Sequence, residues 1–154
     1  MEAEDGGYDI SDAMEQIKGI DYSCEDVNGF CKFSYEMLKE STRGKTGIFL
    51  SALVNYGKDA SYTIPTETIG LKNFLGSFLD GKALRICGDV GWFAGHMMAS
   101  GRLEIDGNAQ DDLGNGMRGG EIRVAGNAGI TCGLLMDGGR IIVQGNSGER
   151  FGHK

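Results

Sequence analysis

Residues 82–154 write one nineteen-residue phrase almost four times: KALRICGDVGWFAGHMMAS from Lys82, GRLEIDGNAQDDLGNGMRG from Gly101, GEIRVAGNAGITCGLLMDG from Gly120 and GRIIVQGNSGERFGHK from Gly139. Glycine columns at Gly88, Gly107, Gly126 and Gly145, at Gly95, Gly114, Gly133 and Gly152, and at Gly101, Gly120 and Gly139 hold the register, with Met98, Met117 and Met136. A fixed period near 20 residues marks a stacked solenoid. Within each unit the apolar residues alternate, as in Leu84/Ile86, Leu103/Ile105, Ile122/Val124 and Ile141/Val143. That is the period of a strand and not of a helix. The expected fold is therefore mainly β: a right-handed, single-stranded parallel β-helix of about four nineteen-residue coils over 82–154, preceded by a small α/β region over 1–81.

Stacking the coils about 4.8 Å apart turns each sequence column into a ladder. Leu84, Leu103, Ile122 and Ile141 form one inward ladder, and Ile86, Ile105, Val124 and Val143 another. Each fully buried side chain contributes about 1.5–3 kcal/mol. Ala94, Leu113, Cys132 and Phe151 make a third inward column, and the methionines a fourth. The column between the first two reads Arg85, Glu104, Arg123, Ile142 and is expected to face solvent, with opposite charges stacked. Asp89, Asn108, Asn127 and Asn146 follow the first glycine column, where stacked amides are expected to hydrogen-bond along the axis. The glycines are read as corners that exclude a Cβ through positive φ or close backbone approach.

The pattern G-N-A-x4-G-x2-M-x-G-G-x-I-x-V, written at Gly107-Asn108-Ala109 through Met117 to Gly120, resembles the glycine-repeat (GXGXG) β-helix domain at the C-terminal end of the glutamate synthase large subunit. It is similar also to the C subunit of formylmethanofuran dehydrogenase, whose unbroken spacing it shares more closely. The resemblance covers about half of the chain and implies a scaffold docked on the catalytic parts of an oxidoreductase. It implies no catalytic, cofactor-binding or metal-binding residue here; FMN, iron-sulfur or a pterin metal would sit on partner subunits.

Of the 27 glycines, 17 lie in 82–154. The net charge of -7 resides in residues 1–81, which carry seven Lys/Arg against fourteen Asp/Glu, whereas 82–154 carries eight of each. That balance disfavours nucleic acid and an anionic membrane surface as partners. No signal-like start or long apolar run is written, so the expected setting is the cytoplasm. Cys24, Cys31, Cys87 and Cys132 are expected to be free thiols.

In the first 81 residues, 1–8 read as a frayed start. Ser11 caps a short helix carrying Ile10, Met14 and Ile17 that stops at Gly19, and Ser23 with Asp26 writes a capping box for a second helix that ends at Gly44. Residues 48–56 read as a strand, 57–60 as a turn and 61–64 as its hairpin partner, the economical reading, with a single strand as the alternative that also fits. Leu71, Phe74, Leu75, Phe78 and Leu79 fall at helical spacing, and that helix is expected to cover the N-terminal end of the solenoid. The last unit stops partway round a coil, so either the sequence is a truncated version of a longer protein or its open end, with Ile142 and Phe151, is closed by the expected partners, other protein subunits or a second copy.

Other motifs weigh less. Residues 114–119 spell G-x-G-x-x-G, but on repeat columns with no helix to follow. Gly44-Lys45-Thr46 lacks the first glycine of a P-loop, and Gly145-Asn146-Ser147-Gly148-Glu149 lacks the last glycine of a serine elbow. His96 and His153 share a column at about 14 Å, too far for one metal. Asp111 and Asp112 are adjacent and expected on opposite faces. Trp92 and Phe93 are candidate interface anchors. A second reading is an independent small-molecule binding protein or hydrolase with a pocket near Trp92, His96, Asp111 and Cys87.

Overall fold

A computed structural model describes residue 15 and residues 17–33 and 43–152. Its centre is a parallel sheet of five strands stacked in chain order: β1 (Ser61–Ile64), β2 (Ala83–Ile86), β3 (Arg102–Ile105), β4 (Glu121–Val124) and β5 (Arg140–Val143). Parallel neighbours in sequence order, joined by connections that return to the same edge, make a β-solenoid. Ala83 pairs with Arg102, Arg102 with Glu121 and Glu121 with Arg140, each step nineteen residues. A second, one-residue-wide ladder runs through Val90, Ala109, Ala128 and Ser147, on the far side of the glycine corner.

The two inward ladders close the interior. Leu84, Leu103 and Ile122 are buried, as are Ile86, Ile105 and Val124, and Ala94, Leu113 and Cys132 stack beside Met98 and Met117. In the last coil Ile141, Val143 and Met136 are only partly buried and Phe151 is exposed.

The stack begins earlier than the repeat does. Ser61 of β1 pairs with Ala83, so Tyr62 and Ile64 extend the two inward ladders by one rung. This step is twenty-two residues long, and the extra length holds the one-turn helix α3 (Thr66–Ile69), which follows Pro65 and ends at Gly70. Residues 71–79 are accordingly no helix. They form the turn of this first coil: Phe74, Gly76 and Phe78 all have positive φ, at 61°, 74° and 56°, and alternating left-handed residues cannot propagate a right-handed helix.

The cover on the N-terminal end comes instead from α1 (Cys24–Phe33) and α2 (Arg43–Tyr56). Ser23 starts α1 with the expected box: the Asp26 N–H donates to Ser23 Oγ at 3.2 Å and the Ser23 N–H to Asp26 Oδ2 at 2.7 Å. Helix α2 replaces the expected strand over 48–56, and with it the hairpin; Gly44 lies inside this helix and does not end the preceding one. Ile48, Leu50, Ala52, Leu53 and Val54 are all buried, so α2 is apolar around its circumference and has no periodicity for the sequence to display. Its small residues face the first coil. A Cβ on Gly47 would collide with the Asn73 carbonyl, the Ser51 hydroxyl lies 2.8 Å from the Phe74 carbonyl oxygen, and Asn55 Nδ2 donates to the Ser77 carbonyl at 3.2 Å. Edge carbonyls that no earlier coil could pair are satisfied by one helix face spaced i, i+4, i+8.

Lys82 ties this cap to the repeat, donating from Nζ to the carbonyls of Gly57 and Asp59, both at 2.7 Å. Ile17 is buried and Gly19 has positive φ, at 85°. The expected positions Ile10, Ser11, Met14 and His153 lie outside the described residues, as does the start at 1–8.

Candidate functional site

The repeat columns are occupied with stacking. Asn108 Oδ1 accepts the Asn127 N–H at 2.8 Å and Asn127 Oδ1 accepts the Asn146 N–H at 2.8 Å; Asp89 Oδ1 accepts the Asn108 N–H at 2.7 Å. The ladder thus runs from side chain to backbone, with an amide-to-side-chain bond only from Asn108 Nδ2 to Asp89, at 3.1 Å. Gly126 is required by close approach, since a Cβ there would stand 2.5 Å from Asn108 Oδ1 and 2.7 Å from the Gly107 oxygen. Gly114 is required by conformation, with φ at 65° and Ile141 Cδ1 2.6 Å from the same hypothetical atom. Gly107 and Gly145 repeat the first situation and Gly95 the second; Gly88 and Gly133 also have positive φ.

Outward charges pair differently from the expected vertical stack. Arg85, Glu104 and Arg123 are register partners, yet Arg85 bonds Asp106 at 3.0 Å and Arg123 bonds Glu121 at 2.6 Å. Glu121 also receives Arg140, and Arg102 approaches it at 3.7 Å. The Arg123 and Arg140 hydrogen bonds pull its carboxyl down to about 2. Ile142 continues the outward column and is half-buried.

The turn segments build a different surface. Phe74, Phe93, Asp112, Thr131 and Arg150, nineteen residues apart, all have φ between 58° and 62°. A left-handed β-branched residue such as Thr131 is held there by the coils on either side: its N–H donates to the Glu149 carbonyl and Asp112 Oδ1 accepts its hydroxyl at 2.7 Å. This conformation presents Trp92, Ile130 and Leu135 to solvent, at 51, 49 and 64% exposure. Phe93 is half-buried and stacks on Phe74, and His96 meets Phe74, Phe78 and Phe93 edge-on at 5.8–6.2 Å. Burial among these rings holds the His96 imidazole below its ordinary value, against opposing contacts with Asn115. Its Nδ1, and Ser77 Oγ one coil earlier in the same column, are buried without a hydrogen-bond partner among the described residues.

Asp111 and Asp112 are both half-exposed on this surface, contrary to the expected opposite faces, because the left-handed Asp112 breaks strand alternation. Asp111 Oδ1 accepts the Ile130 N–H at 2.9 Å. The G-x-G-x-x-G of 114–119 lies in this turn and leads to β4, and Ser147 occupies the Ala109/Ala128 bridge column.

Cys87 sits elsewhere. Burial, the Asp106 carboxylate and neighbouring Glu67 raise its thiol, and Glu67 and Asp106, with Thr66, Leu71, Gly88 and Asp89, line a cleft of about 390 Å³. The structure therefore does not gather Cys87 with Trp92, His96 and Asp111 into one pocket. A second, apolar cleft of about 250 Å³ lies among Tyr22, Val27, Phe30, Phe49 and Leu53. All four cysteines are free; Cys31 and Cys132 are buried, which pushes each thiol up to about 11. Among the described residues no cluster of three His, Cys, Asp or Glu side chains is placed to hold a metal ion, and no helix is long and apolar enough to cross a membrane.

Comparison with protein-family models, with curated proteins and with solved structures finds no significant match. The sequence reading overlooked Phe78, Ile130 and Leu135 as surface residues. Their signal was available: each shares a column with a residue of another coil's turn, Phe78 with Met97 and Leu135, and Ile130 with Trp92.

Proposed function

We propose that the chain is an assembly module: a β-solenoid, wound right-handed as parallel crossover connections almost always are, that docks on catalytic parts of a multisubunit oxidoreductase of the glutamate synthase type. One observation carries this reading. The recurring residues are consumed by the stack itself, the asparagine oxygens by the next coil's N–H groups and Met98 and Met117 by the interior, while each coil varies on its outer surface. A repeat used in that way supplies a rigid surface and leaves chemistry to what binds it. FMN and iron-sulfur groups then belong to partner subunits within the cytoplasm.

The formylmethanofuran dehydrogenase C-type scaffold, with a pterin metal on its partners, is the second reading. It draws support from the uninterrupted nineteen-residue register from β2 to β5. Affinity purification of the full-length protein from its own cells, with mass spectrometry of the recovered subunits, tests both. Flavin-enzyme subunits in fixed ratio support the first and pterin-enzyme subunits the second. Recovery of the chain alone overturns the assembly reading and turns attention to a small ligand or hydrolytic substrate.

A further inference from the structure

The turn surface alternates in character along the solenoid axis. Trp92 is an exposed apolar projection in one coil, and Ile130 and Leu135 are the same two coils later. Between them the coil presents Asp111 and Asp112, and where Leu135 stands in the later coil it has Gly116, with no side chain. Each aspartate uses one oxygen on the next coil, Asp111 for the Ile130 N–H and Asp112 for the Thr131 hydroxyl. Among the described residues neither has an ion-pair partner, and a carboxylate keeps further acceptor sites after one bond.

The spacing selects the kind of partner. Adjacent rows are about 4.8 Å apart and the two apolar rows about 9.6 Å. An α-helix laid parallel to the axis rises about 5.4 Å per turn, so residues i and i+7 on one face stand about 10.5 Å apart, with i+3 and i+4 midway. An extended strand places same-face residues about 6.8 Å apart and falls out of step with the rows. We propose that this surface binds an amphipathic helix of a partner protein, its apolar i and i+7 residues over Trp92 and over Ile130 and Leu135. A lysine or arginine at i+3 or i+4 meets Asp111 and Asp112. The surface serves any partner carrying that pattern, so it does not depend on the oxidoreductase reading.

Trp92 is the chain's only tryptophan and reports on its own surface. The full-length protein is titrated with a synthetic helical peptide carrying leucines at i and i+7 and arginines at i+3 and i+4. The expected result is a saturable blue shift of Trp92 emission. Asp111→Asn with Asp112→Asn keeps the acceptor oxygens toward Ile130 and Thr131 and is expected to weaken binding about tenfold or more, the scale of strong interfacial charge pairs. Leu135→Ser, at an exposed position, is expected to do the same. A peptide with glutamates in place of the arginines is expected not to bind. Absence of binding up to about 1 mM peptide, equal binding by both peptides, or equal binding by wild type and by variants with unchanged melting temperature overturns the proposal. Copurification of oxidoreductase subunits is a separate outcome that this titration neither supplies nor removes.

Discussion

Phe74 and Phe93 lie face to face, their ring centroids 5.0 Å apart and their planes 5° from parallel. They occupy the same position of successive coils, each with a left-handed backbone, φ 61° and 59°. The stack shows residues 71–79 to be a solenoid coil despite their helical spacing. Left-handed conformation costs an L residue about 1–2 kcal/mol, while an aromatic pair returns about 0.5–1.5 kcal/mol beyond its area. Phe74→Ala loses the ring and keeps the strain; Phe74→Gly loses both. We expect Phe74→Gly to be the more stable of the two by about 1 kcal/mol, reversing their usual order. Chemical denaturation of both variants checks this, and a lower midpoint for the glycine variant contradicts it.

Ile122 is wholly buried in an inward ladder while its neighbour Arg123 faces solvent. Ile122→Asp places a carboxylate in the solenoid interior at a cost of several kcal/mol, enough to unfold a domain of ordinary stability. Arg123→Asp forfeits an exposed ion pair with Glu121, a weak contribution, and is expected to leave the solenoid folded. Circular dichroism and thermal melts separate the two; comparable melting temperatures would show the register to be wrong.

Gly126 and Gly29 make opposite forecasts for one substitution. At Gly126 a Cβ meets the preceding coil at 2.5 Å, whereas at Gly29, on the exposed side of α1, nothing lies within 4 Å. Gly126→Ala is expected to destabilise by about 1–3 kcal/mol through overpacking. Gly29→Ala is expected to stabilise by about 0.4–1 kcal/mol, by removing unfolded-state freedom within a helix. Urea unfolding of the two variants measures both signs.

The Glu121 carboxyl is held at about 2 by Arg123 and Arg140, below its unfolded value near 4.3. A group depressed in the folded state contributes stability that is full above its unfolded value and is lost as pH falls toward its folded one. The melting-temperature gap between wild type and Glu121→Gln is therefore expected to be widest above about pH 4.5 and to close toward pH 2. Melts at unit pH intervals from 6 to about 2 test this, and a gap that does not change with pH rules it out.

Repetition made the solenoid from β2 onward readable, because each column is sampled several times. Leu103, Ile122 and their partners declare an inward face by agreeing with one another. The same comparison could have found the first coil, since Phe74-Leu75-Gly76 matches Phe93-Ala94-Gly95 nineteen residues on. A single copy with helical spacing concealed it, and α3 shifted the strand before it out of step. Of the turn surface, Trp92, Phe93 and His96 stood out as residue types. Their neighbours Ile130 and Leu135 did not, because strand alternation does not govern a segment whose alternate residues are left-handed.

The amino-acid sequence alone determined the period, the inward ladders and the glycine corners, all of which follow from local alternation and from positions where a Cβ has no room. Only the tertiary structure decided that α2 caps the first coil through Gly47, Ser51 and Asn55, that Glu121 takes Arg123 along its own strand as well as Arg140 of the next coil, and that Asp111 and Asp112 share a surface with Ile130. These depend on which residues distant in the chain are brought side by side. An isolated helix has no period to announce its partner, and a left-handed turn turns side chains outward by a geometry that residue spacing does not record.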